Sequence, residues 1–239
     1  MFKPANDIRY LAFLNKLHAK NLFEWYLEIG TRNGRSFAPA RGNAIAVDPK
    51  FQISSNVLQM KRSSFFFQST SDVFFCSNFL KINNIRLSFS FLDGMHLFEF
   101  LLRDFINIER NTKIGGAIAL HDCCPPTFDM TVRSLRDRPK GGWTGDVWKM
   151  VPILQRYRPE LKLEVIGCKP TGIVIVLNTC PTDTTLEDHY DEIVAQYTSR
   201  ELTGVVLDEF YASFDYVNAA DFLSRSEEIF KDVCINERE

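Results

Sequence analysis

Short apolar runs bounded by glycine or polar residues recur along the first 180 positions of the chain and predict β-strands. Runs of about four to eight residues between turn signals are typical of strands buried in a sheet. The runs are Phe23–Ile29, Ala44–Val47, Phe65–Phe67, Leu87–Leu92, Ala117–Leu120, Leu163–Ile166 and Gly172–Leu177. We expect Phe65–Phe67 to be as buried as the others. Only a short turn at Lys169-Pro170 separates the last two runs, which indicates an antiparallel hairpin at one edge of the sheet.

Other segments carry apolar residues at every third or fourth position and predict helices. They are residues 7–20, Leu97–Ile108, Val147–Arg158, Leu186–Gln196, Leu207–Phe214 and Ala220–Val233. Strands that alternate with helices favour an α/β fold with a doubly wound, mostly parallel sheet, here of seven strands with an antiparallel edge hairpin. We expect residues 1–180 to form this domain and residues 181–239 to form a helical C-terminal extension packed on it.

Charge and cysteine content narrow the class of protein. The 28 basic and 30 acidic side chains give a net charge of −2, which argues against a nucleic-acid partner. No apolar stretch is long enough for a membrane span, and the N-terminus mixes charged with apolar residues, so we expect neither a membrane segment nor a secretory signal. The six cysteines show no CxxC spacing, which favours reduced thiols and a cytoplasmic location.

Polar residues follow four of the predicted strands at the point where each strand ends. They are Glu28 with Gly30, then Asp48, then Asp93, and finally His121 with Asp122. Each alone is a common turn residue. Because ligands of open parallel sheets bind at the carboxyl ends of the strands, four such ends together favour a ligand site.

The loop from Glu28 to Ser36 leaves two classes of cofactor open. The dinucleotide fingerprint needs a second glycine where this chain has Arg32, and the Glu28 carboxylate would repel a pyrophosphate. A nucleotide cofactor without phosphates therefore suits the loop better, and an NAD(P)-dependent oxidoreductase is the alternative. Asp48 lies 20 residues after Glu28, where a carboxylate can bind ribose hydroxyls in either case.

The order of these motifs resembles the class I S-adenosylmethionine-dependent methyltransferases. More narrowly, it resembles the group of macrocin O-methyltransferase and the cephalosporin hydroxylase-like proteins (methyltransferase domain 24). The matching elements lie within residues 24–122: Glu28-Ile29-Gly30 with Gly34-Arg35-Ser36, Val47-Asp48, Gln68-Ser69, Leu92-Asp93-Gly94-Met95-His96, and Gly115-Gly116 leading to His121-Asp122. The resemblance implies a Rossmann-like methyltransferase fold with S-adenosylmethionine as the cofactor.

The resemblance also implies roles for individual residues. The cofactor-binding set is Glu28, Gly30, Thr31, Gly34, Ser36, Asp48, Ser69 and Asp93. Within it, Gly30 and Gly34 would shape the loop around the methionine part, Asp48 would hold the ribose and Ser69 would lie near the adenine. Asp93 and Asp122 match positions that bind a divalent cation, Mg²⁺ or Mn²⁺. His121 stands where a second acidic residue is usual, so a transition metal and a site without metal are both alternatives.

The expected reaction is O-methylation of a hydroxyl on a sugar or small metabolite. A protonated alcohol is a poor nucleophile, so a base or a metal must assist. His96 and His121 are the candidate bases, and Asp93 completes the candidate catalytic set. A non-catalytic accessory protein that keeps the cofactor fold is a further alternative.

Several other features have two interpretations each. The loop 140–149 is either a lid or acceptor wall presenting Trp143 and Trp148, or core and turn. The basic residues after the fifth strand are expected to be solvated, with contact to an anionic acceptor as the alternative; they are Arg133, Arg136, Arg138 and Lys140. His18 and His189 are expected to face solvent, and Cys123-Cys124 to pack in a loop. The C-terminal aromatics either cover the core or pair with a second copy of the chain.

Overall fold

The computed structural model describes residues 1–54, 56–58 and 60–235, so the last four residues of the predicted extension lie outside the described part. The strands are β1 (Trp25–Ile29), β2 (Asn43–Val47), β3 (Ser63–Phe67), β4 (Leu87–Leu92), β5 (Thr112–His121), β6 (Lys162–Ile166) and β7 (Ile173–Leu177). The helices are α1 (Tyr10–Lys20), α2 (Ser71–Cys76), α3 (Phe79–Ile82), α4 (Phe98–Glu109), α5 (Met150–Tyr157), α6 (Thr185–Asp188), α7 (Tyr190–Tyr197), α8 (Gly204–Ala212) and α9 (Ala219–Ile229). No helix among these residues is both long and apolar enough to cross a bilayer.

The strands form one sheet in the order β3-β2-β1-β4-β5-β7-β6. Strands β1 to β5 are parallel, and β7 runs antiparallel to both β5 and β6. This confirms the predicted doubly wound sheet with its antiparallel hairpin. The order reverses between β1 and β4, and Ile29 is in register with both Val47 and Leu92. The polar residues that follow these strands are therefore brought side by side.

Apolar side chains cover both faces of the sheet. Leu27, Ile29 and Leu92 pack with α4 and α5 on one face, and Tyr26 and Phe89 pack with α1 and α9 on the other. Every residue of β4 is buried, as expected for a central parallel strand. The ends of β1 and β4 are thus fixed by packing on both sides, which gives the residues after them a rigid base.

Strand β3 corrects the prediction of a buried strand at Phe65–Phe67. Its position at the edge of the sheet leaves Phe65 36% and Phe66 39% exposed. Phe67 packs edge-on against Phe74 and Phe79 and is the least exposed of the three, while Phe65 and Phe66 each cover one neighbouring ring, Phe79 and Phe37. The apolar run correctly indicated a strand, but an edge strand has a neighbour on only one side.

His18 is the second correction, because it is buried instead of facing solvent. Its ring packs edge-on against Phe23, Tyr26 and Phe89, and only 1% of the residue is exposed. Burial lowers the pKa of His18 to about 3, so the imidazole is neutral. The helical spacing places it on the same face as Leu14 and Leu17, which are also buried. His189 is exposed as expected, beside Glu192.

Candidate active site

A cavity of about 670 Å³ opens at the carboxyl ends of β1, β2, β4 and β5. Nine of the residues singled out from the sequence line it: Gly30, Thr31, Ser36, Asp48, Ser69, Asp93, His96, His121 and Asp122. Glu28 and Gly34 do not line it. Another cavity, of about 460 Å³, lies at the amino ends of β4 and β5 and contains none of the predicted residues. The strand-end cavity is therefore the candidate site.

The loop after β1 is held against β4 by Gly30. Gly30 has a φ of +87°, and a Cβ there would lie 2.0 Å from the carbonyl oxygen of Asp93, so only glycine fits. Residues 32–39 form turns, with one helical hydrogen bond from Ala38 N to Gly34 O at 2.8 Å. The connection from β1 to β2 thus contains a single helical turn from Gly34 to Ala38.

Glu28 lies beneath this loop and is fully buried. Its carboxylate accepts hydrogen bonds from the hydroxyls of Tyr26 at 2.5 Å and Ser36 at 2.8 Å. Burial raises the pKa of Glu28 to about 7, although both hydroxyls favour its charged form. Glu28 therefore supports the loop through Ser36 and makes no contact with the cavity.

Asp48, at the end of β2, joins two loops at the floor of the cavity. Its carboxylate accepts the backbone N–H groups of Arg32 and Lys50, each at 2.7 Å. A carboxylate has about four acceptor positions, so each oxygen can still accept a ligand hydroxyl. Ser69 follows β3 just before Thr70, whose hydroxyl caps the start of α2. Asp48 and Ser69 thus both line the cavity, and the ribose and adenine roles expected for them stay predictions.

Two histidines and two aspartates form one cluster at the ends of β4 and β5. Asp93 Oδ1 lies 3.1 Å from His121 Nδ1 and 3.3 Å from His96 Nε2. Asp122 lies 3.4 Å from each imidazole and also accepts a hydrogen bond from Thr171. Asp122 has a φ of +60°, a backbone conformation that Asp tolerates better than most residues. The sharp turn after β5 thus directs His121 and Asp122 to the same cluster.

Contacts within the cluster shift the pKa of Asp93, His96 and His121. Burial lowers the pKa of His96, but the hydrogen bond to Asp93 and the charges of Asp122 and Asp93 raise it overall, to about 9. Burial alone would raise the pKa of Asp93, but the two imidazoles hold it well below its usual range. The same carboxylates raise the pKa of His121 in spite of its burial. His96 must therefore lose a proton before it can act as a base or as a metal ligand.

The donor set fits a divalent cation. Ligand atoms of Asp93, His96 and Asp122 all lie within 4.8 Å of one another. Two carboxylates with one imidazole suit Mn²⁺ or another transition metal as well as Mg²⁺. His121 is not part of this set; its Nε2 is buried and has no hydrogen-bond partner among the described residues.

Tyr10 is a site residue for which the sequence carries no signal. Tyr10, the first residue of α1, lines the cavity, and its ring centroid lies 4.2 Å from that of His121. No local motif links positions 111 residues apart, so only the folded chain reveals this contact.

The two tryptophans of loop 140–149 have different roles. The Trp143 ring stacks on His96 with the ring centroids 5.2 Å apart, and Trp143 O accepts a hydrogen bond from His96 Nδ1 at 2.6 Å. Trp148 is 1% exposed and packs edge-on against Phe210 in the core. Trp148 thus follows the core interpretation of this loop, whereas Trp143 contacts His96 without itself lining the cavity, so the acceptor wall stays a prediction.

Two neighbouring groups contribute no ligands to the cavity. Arg133, expected to be solvated, forms ion pairs with Glu99 and Asp146, while Arg136, Arg138 and Lys140 are exposed. Cys123 and Cys124 are fully buried, as expected, and burial raises the pKa of both thiols.

Comparisons with known proteins find similarity in structure alone. No family model matches the sequence, and no curated protein matches it. Among solved structures, a protein from Klebsiella pneumoniae classed as an O-methyltransferase is 15% identical, with a TM-score of 0.50 over 74% of this chain and 84% of that one. Cofactor-bound Rv0187 from MTB is 11% identical, with a TM-score of 0.50 over 74% and 83%. MycE methyltransferase, in complex with Mg and SAH, is 14% identical with a TM-score of 0.47; the match covers 73% of this chain and 49% of MycE. The chain has a Rossmann-like methyltransferase fold.

Proposed function

We propose that this protein is an S-adenosylmethionine-dependent O-methyltransferase that acts on a hydroxyl of a sugar or another small metabolite. One observation supports this most: the cofactor-type loop at Gly30, the acid at Asp48 and the Asp93–His96–Asp122 cluster meet in one cavity. S-adenosylmethionine supplies an electrophilic methyl group when it is bound. The chain must therefore align an acceptor with that methyl group and make the acceptor nucleophilic.

The β1 and β2 side of the cavity is where we place the cofactor. Asp48 offers free acceptor positions to ribose hydroxyls, and Ser69 lies beyond it toward α2. Gly30 and Thr31 border the cavity next to Asp93, where the methionine part would lie. Positioning of this kind contributes several kcal/mol to a displacement reaction, about 7–11 in favourable intramolecular cases.

The β4 and β5 side of the cavity is where we place the acceptor. Asp93 and Asp122, with His96, would hold a divalent cation, whose charge favours the ionised form of a nearby hydroxyl. Once deprotonated, the imidazole of His121, or that of His96 when His96 holds no cation, can take the acceptor's proton, a contribution of typically 10²–10⁴-fold. Tyr10 borders the same region and offers an aromatic face to a sugar or ring.

The same geometry disfavours the alternative of a nicotinamide cofactor. Arg32 occupies the position of the second glycine, and its N–H is already bonded to Asp48. A pyrophosphate at this turn would have to displace that hydrogen bond and approach an arginine side chain in place of bare backbone. A cytoplasmic location and self-association through the C-terminal helices stay predictions from the sequence.

Calorimetric titration tests the proposal. S-adenosylmethionine and S-adenosylhomocysteine are titrated into the protein with and without Mn²⁺ or Mg²⁺, and NAD and NADP are titrated in parallel. We expect S-adenosylhomocysteine to bind with a Kd in the micromolar range, which corresponds to a binding free energy of about −8 kcal/mol. We expect no binding of the nicotinamide cofactors. Binding of a nicotinamide cofactor without binding of either sulfur compound would reverse the assignment. Labelled methyl transfer to panels of sugars and small alcohols then identifies the acceptor class.

A substitution at Asp48 locates the cofactor within the cavity. Asp48→Ala removes the carboxylate that faces the expected ribose position, so we expect S-adenosylhomocysteine to bind at least tenfold more weakly. Asp129→Ala alters an exposed acid on another loop and is the matched control. Equal affinities in the two variants would show that the ribose is not held at Asp48.

A further inference from the structure

The four residues Trp143–Asp146, here called the clamp segment, contact His96 at three points. Trp143 O accepts a hydrogen bond from His96 Nδ1 at 2.6 Å, and the Trp143 indole stacks on the imidazole. Asp146 N donates a hydrogen bond to the carbonyl oxygen of His96 at 3.2 Å. The clamp segment therefore fixes the backbone, the ring plane and one ring nitrogen of the same residue.

Gly145 allows the clamp segment to approach this closely. It has a φ of +53°, and a Cβ there would lie 1.6 Å from the carbonyl oxygen of His96. No other residue could occupy this position without moving the clamp segment or His96. Gly204 provides a comparison within the same chain: its φ is +52°, but a Cβ there meets nothing within 4 Å.

Asp146 holds the clamp segment onto the start of α4. Its Oδ1 accepts the backbone N–H of Phe98 at 3.0 Å, and its Oδ2 accepts Lys149 Nζ at 2.6 Å and the guanidinium of Arg133. Asp146 is 2% and Lys149 1% exposed, so these charges depend on one another. Arg133 in turn forms a two-point ion pair with Glu99, in the first turn of α4. None of the residues of this charged network lines the cavity.

The contact with Trp143 distinguishes the two nitrogens of His96. A carbonyl oxygen can only accept, so Trp143 O requires a proton on Nδ1. Asp122 Oδ2 also lies 3.4 Å from Nδ1, so Trp143 O, at 2.6 Å, is the nearer partner of that nitrogen. The other nitrogen, Nε2, lies 3.3 Å from Asp93 Oδ1 at the cavity. When His96 is neutral, this arrangement leaves the lone pair on the nitrogen that faces the site, as partners behind a catalytic or metal-binding histidine generally do.

We propose that Asp146 is a positioning residue, which through the clamp segment fixes the orientation and tautomer of His96. Asp146 does not line the cavity, and it acts only through His96. The value of this arrangement for catalysis rests on the proposed function. The orientation of His96 itself can be measured with neither cofactor nor metal present.

Two variants and two controls test the proposal. Gly145→Ala forces the clamp segment away from His96, and Gly204→Ala imposes the same backbone strain without a clash. Asp146→Asn removes the charge that Lys149 and Arg133 require, and Asp137→Asn changes an exposed acid of the same loop. Nitrogen NMR of ring-labelled histidine, recorded above pH 9 where His96 is neutral, reports the tautomer directly, and His96→Gln identifies the signals among those of the four histidines. Mn²⁺ titration by electron paramagnetic resonance and thermal unfolding complete the set.

We expect Gly145→Ala and Asp146→Asn to change the Nδ1 and Nε2 signals of His96 and to weaken Mn²⁺ binding by 10–100-fold, the usual effect of losing a partner behind a ligand. Both controls should retain the wild-type signals, although Gly204→Ala should lower the Tm. Wild-type His96 signals in folded Gly145→Ala and Asp146→Asn proteins would overturn the proposal. If Gly145→Ala does not fold, the His96 nitrogen signals of Asp146→Asn alone test the proposal.

Titration with S-adenosylhomocysteine keeps the two proposals apart. We expect its Kd to change less than threefold in all four variants, because Asp48 and Gly30 are unaffected. Absence of binding to the wild-type protein would overturn the proposed function, while the His96 signals would still decide the role of Asp146.

Discussion

Glu28 couples the stability of the protein to pH at the scale of a single residue. Burial raises the pKa of the folded carboxyl to about 7, against an ordinary value of 4.5. Below pH 4.5 the group is protonated in both the folded and the unfolded chain. Between 4.5 and 7 the unfolded chain gives up a proton that the folded chain retains, so the free energy of unfolding falls as pH rises. The difference in pKa corresponds to about 3 kcal/mol, lost by pH 8.

Replacing Glu28 by Gln should remove this dependence. Gln can hydrogen-bond both neighbouring hydroxyls, because those hydroxyls can reorient as acceptors. We take the difference in free energy of unfolding between Glu28→Gln and wild type, measured by urea unfolding. We expect this difference to favour the variant by about 3 kcal/mol more at pH 8 than at pH 5. Glu201→Gln, at an exposed position, is the control. The same difference between Glu28→Gln and wild type at both pH values would show that Glu28 is ionised in the folded protein.

The sequence identified some of these residues and not others, for physical reasons. Asp48, Asp93 and Asp122 were predictable because the carboxyl ends of parallel strands meet at one edge of a sheet. Strand alternation puts Glu28 on the same face as Tyr26, under the loop, and its expected part in cofactor binding stays a prediction. Trp143 reaches His96 through a contact between distant parts of the chain, for which the sequence has no periodic signal.

At the scale of elements, a buried ion pair joins the ends of α4 and α5. Arg158 binds both carboxylate oxygens of Glu109, at 2.7 and 3.0 Å, and each residue is at most 3% exposed. Glu109 also accepts the N–H of Cys180, at the start of the connection to α6. The pair therefore holds three segments together at the end of α4 opposite His96.

Breaking this pair on one side should cost more than removing both charges. Arg158→Met leaves the Glu109 carboxylate buried without its partner, and we expect a loss of about 3–5 kcal/mol in the free energy of unfolding. Arg158→Met with Glu109→Gln keeps an acceptor for Cys180 N and should regain most of that loss. Chemical unfolding measures both values. A double variant no more stable than Arg158→Met would show that hydrogen-bond geometry outweighs the unpaired charge. Affinity for S-adenosylhomocysteine should be unchanged in both.

The elements themselves were largely predictable, because each of the seven strands coincides with an apolar run. The predicted and observed bounds differ where contacts with neighbouring segments determine the ends of an element. Strand β5 begins at Thr112, ahead of the predicted Ala117, because Thr112 pairs with Leu87 across an irregularity in the ladder. The segment predicted as one helix from Leu186 to Gln196 forms α6 and α7, which meet at His189. Neither sheet pairing nor helix breaks are visible in hydrophobic spacing alone.

At the scale of the whole molecule, the C-terminal segment contributes side chains to the hydrophobic core on each face of the sheet. Phe210 and Tyr211 pack with α5 on one face of the sheet, and Phe222 and Phe230 pack with α1 on the other. Ile235 N donates a hydrogen bond to Leu22 O just before β1. Most of the aromatic side chains after residue 200 are thus buried within this chain. The sequence indicated helices here, but their separation onto opposite faces depends on the path of the chain between α8 and α9.

Phe230 tests how much the sheet depends on this segment. It is fully buried, and its ring lies edge-on to Phe23 with the centroids 5.1 Å apart, and 6.2 Å from Phe89 of central β4. Removing the ring opens a cavity that rigid strands cannot fill, so we expect Phe230→Ala to lower the free energy of unfolding by about 3–5 kcal/mol. Phe128→Ala, at a position 39% exposed, should cost about 1 kcal/mol or less. Denaturant unfolding compares the two. Similar small losses in both would mean that the chain at the end of α9 contributes little to the stability of the sheet.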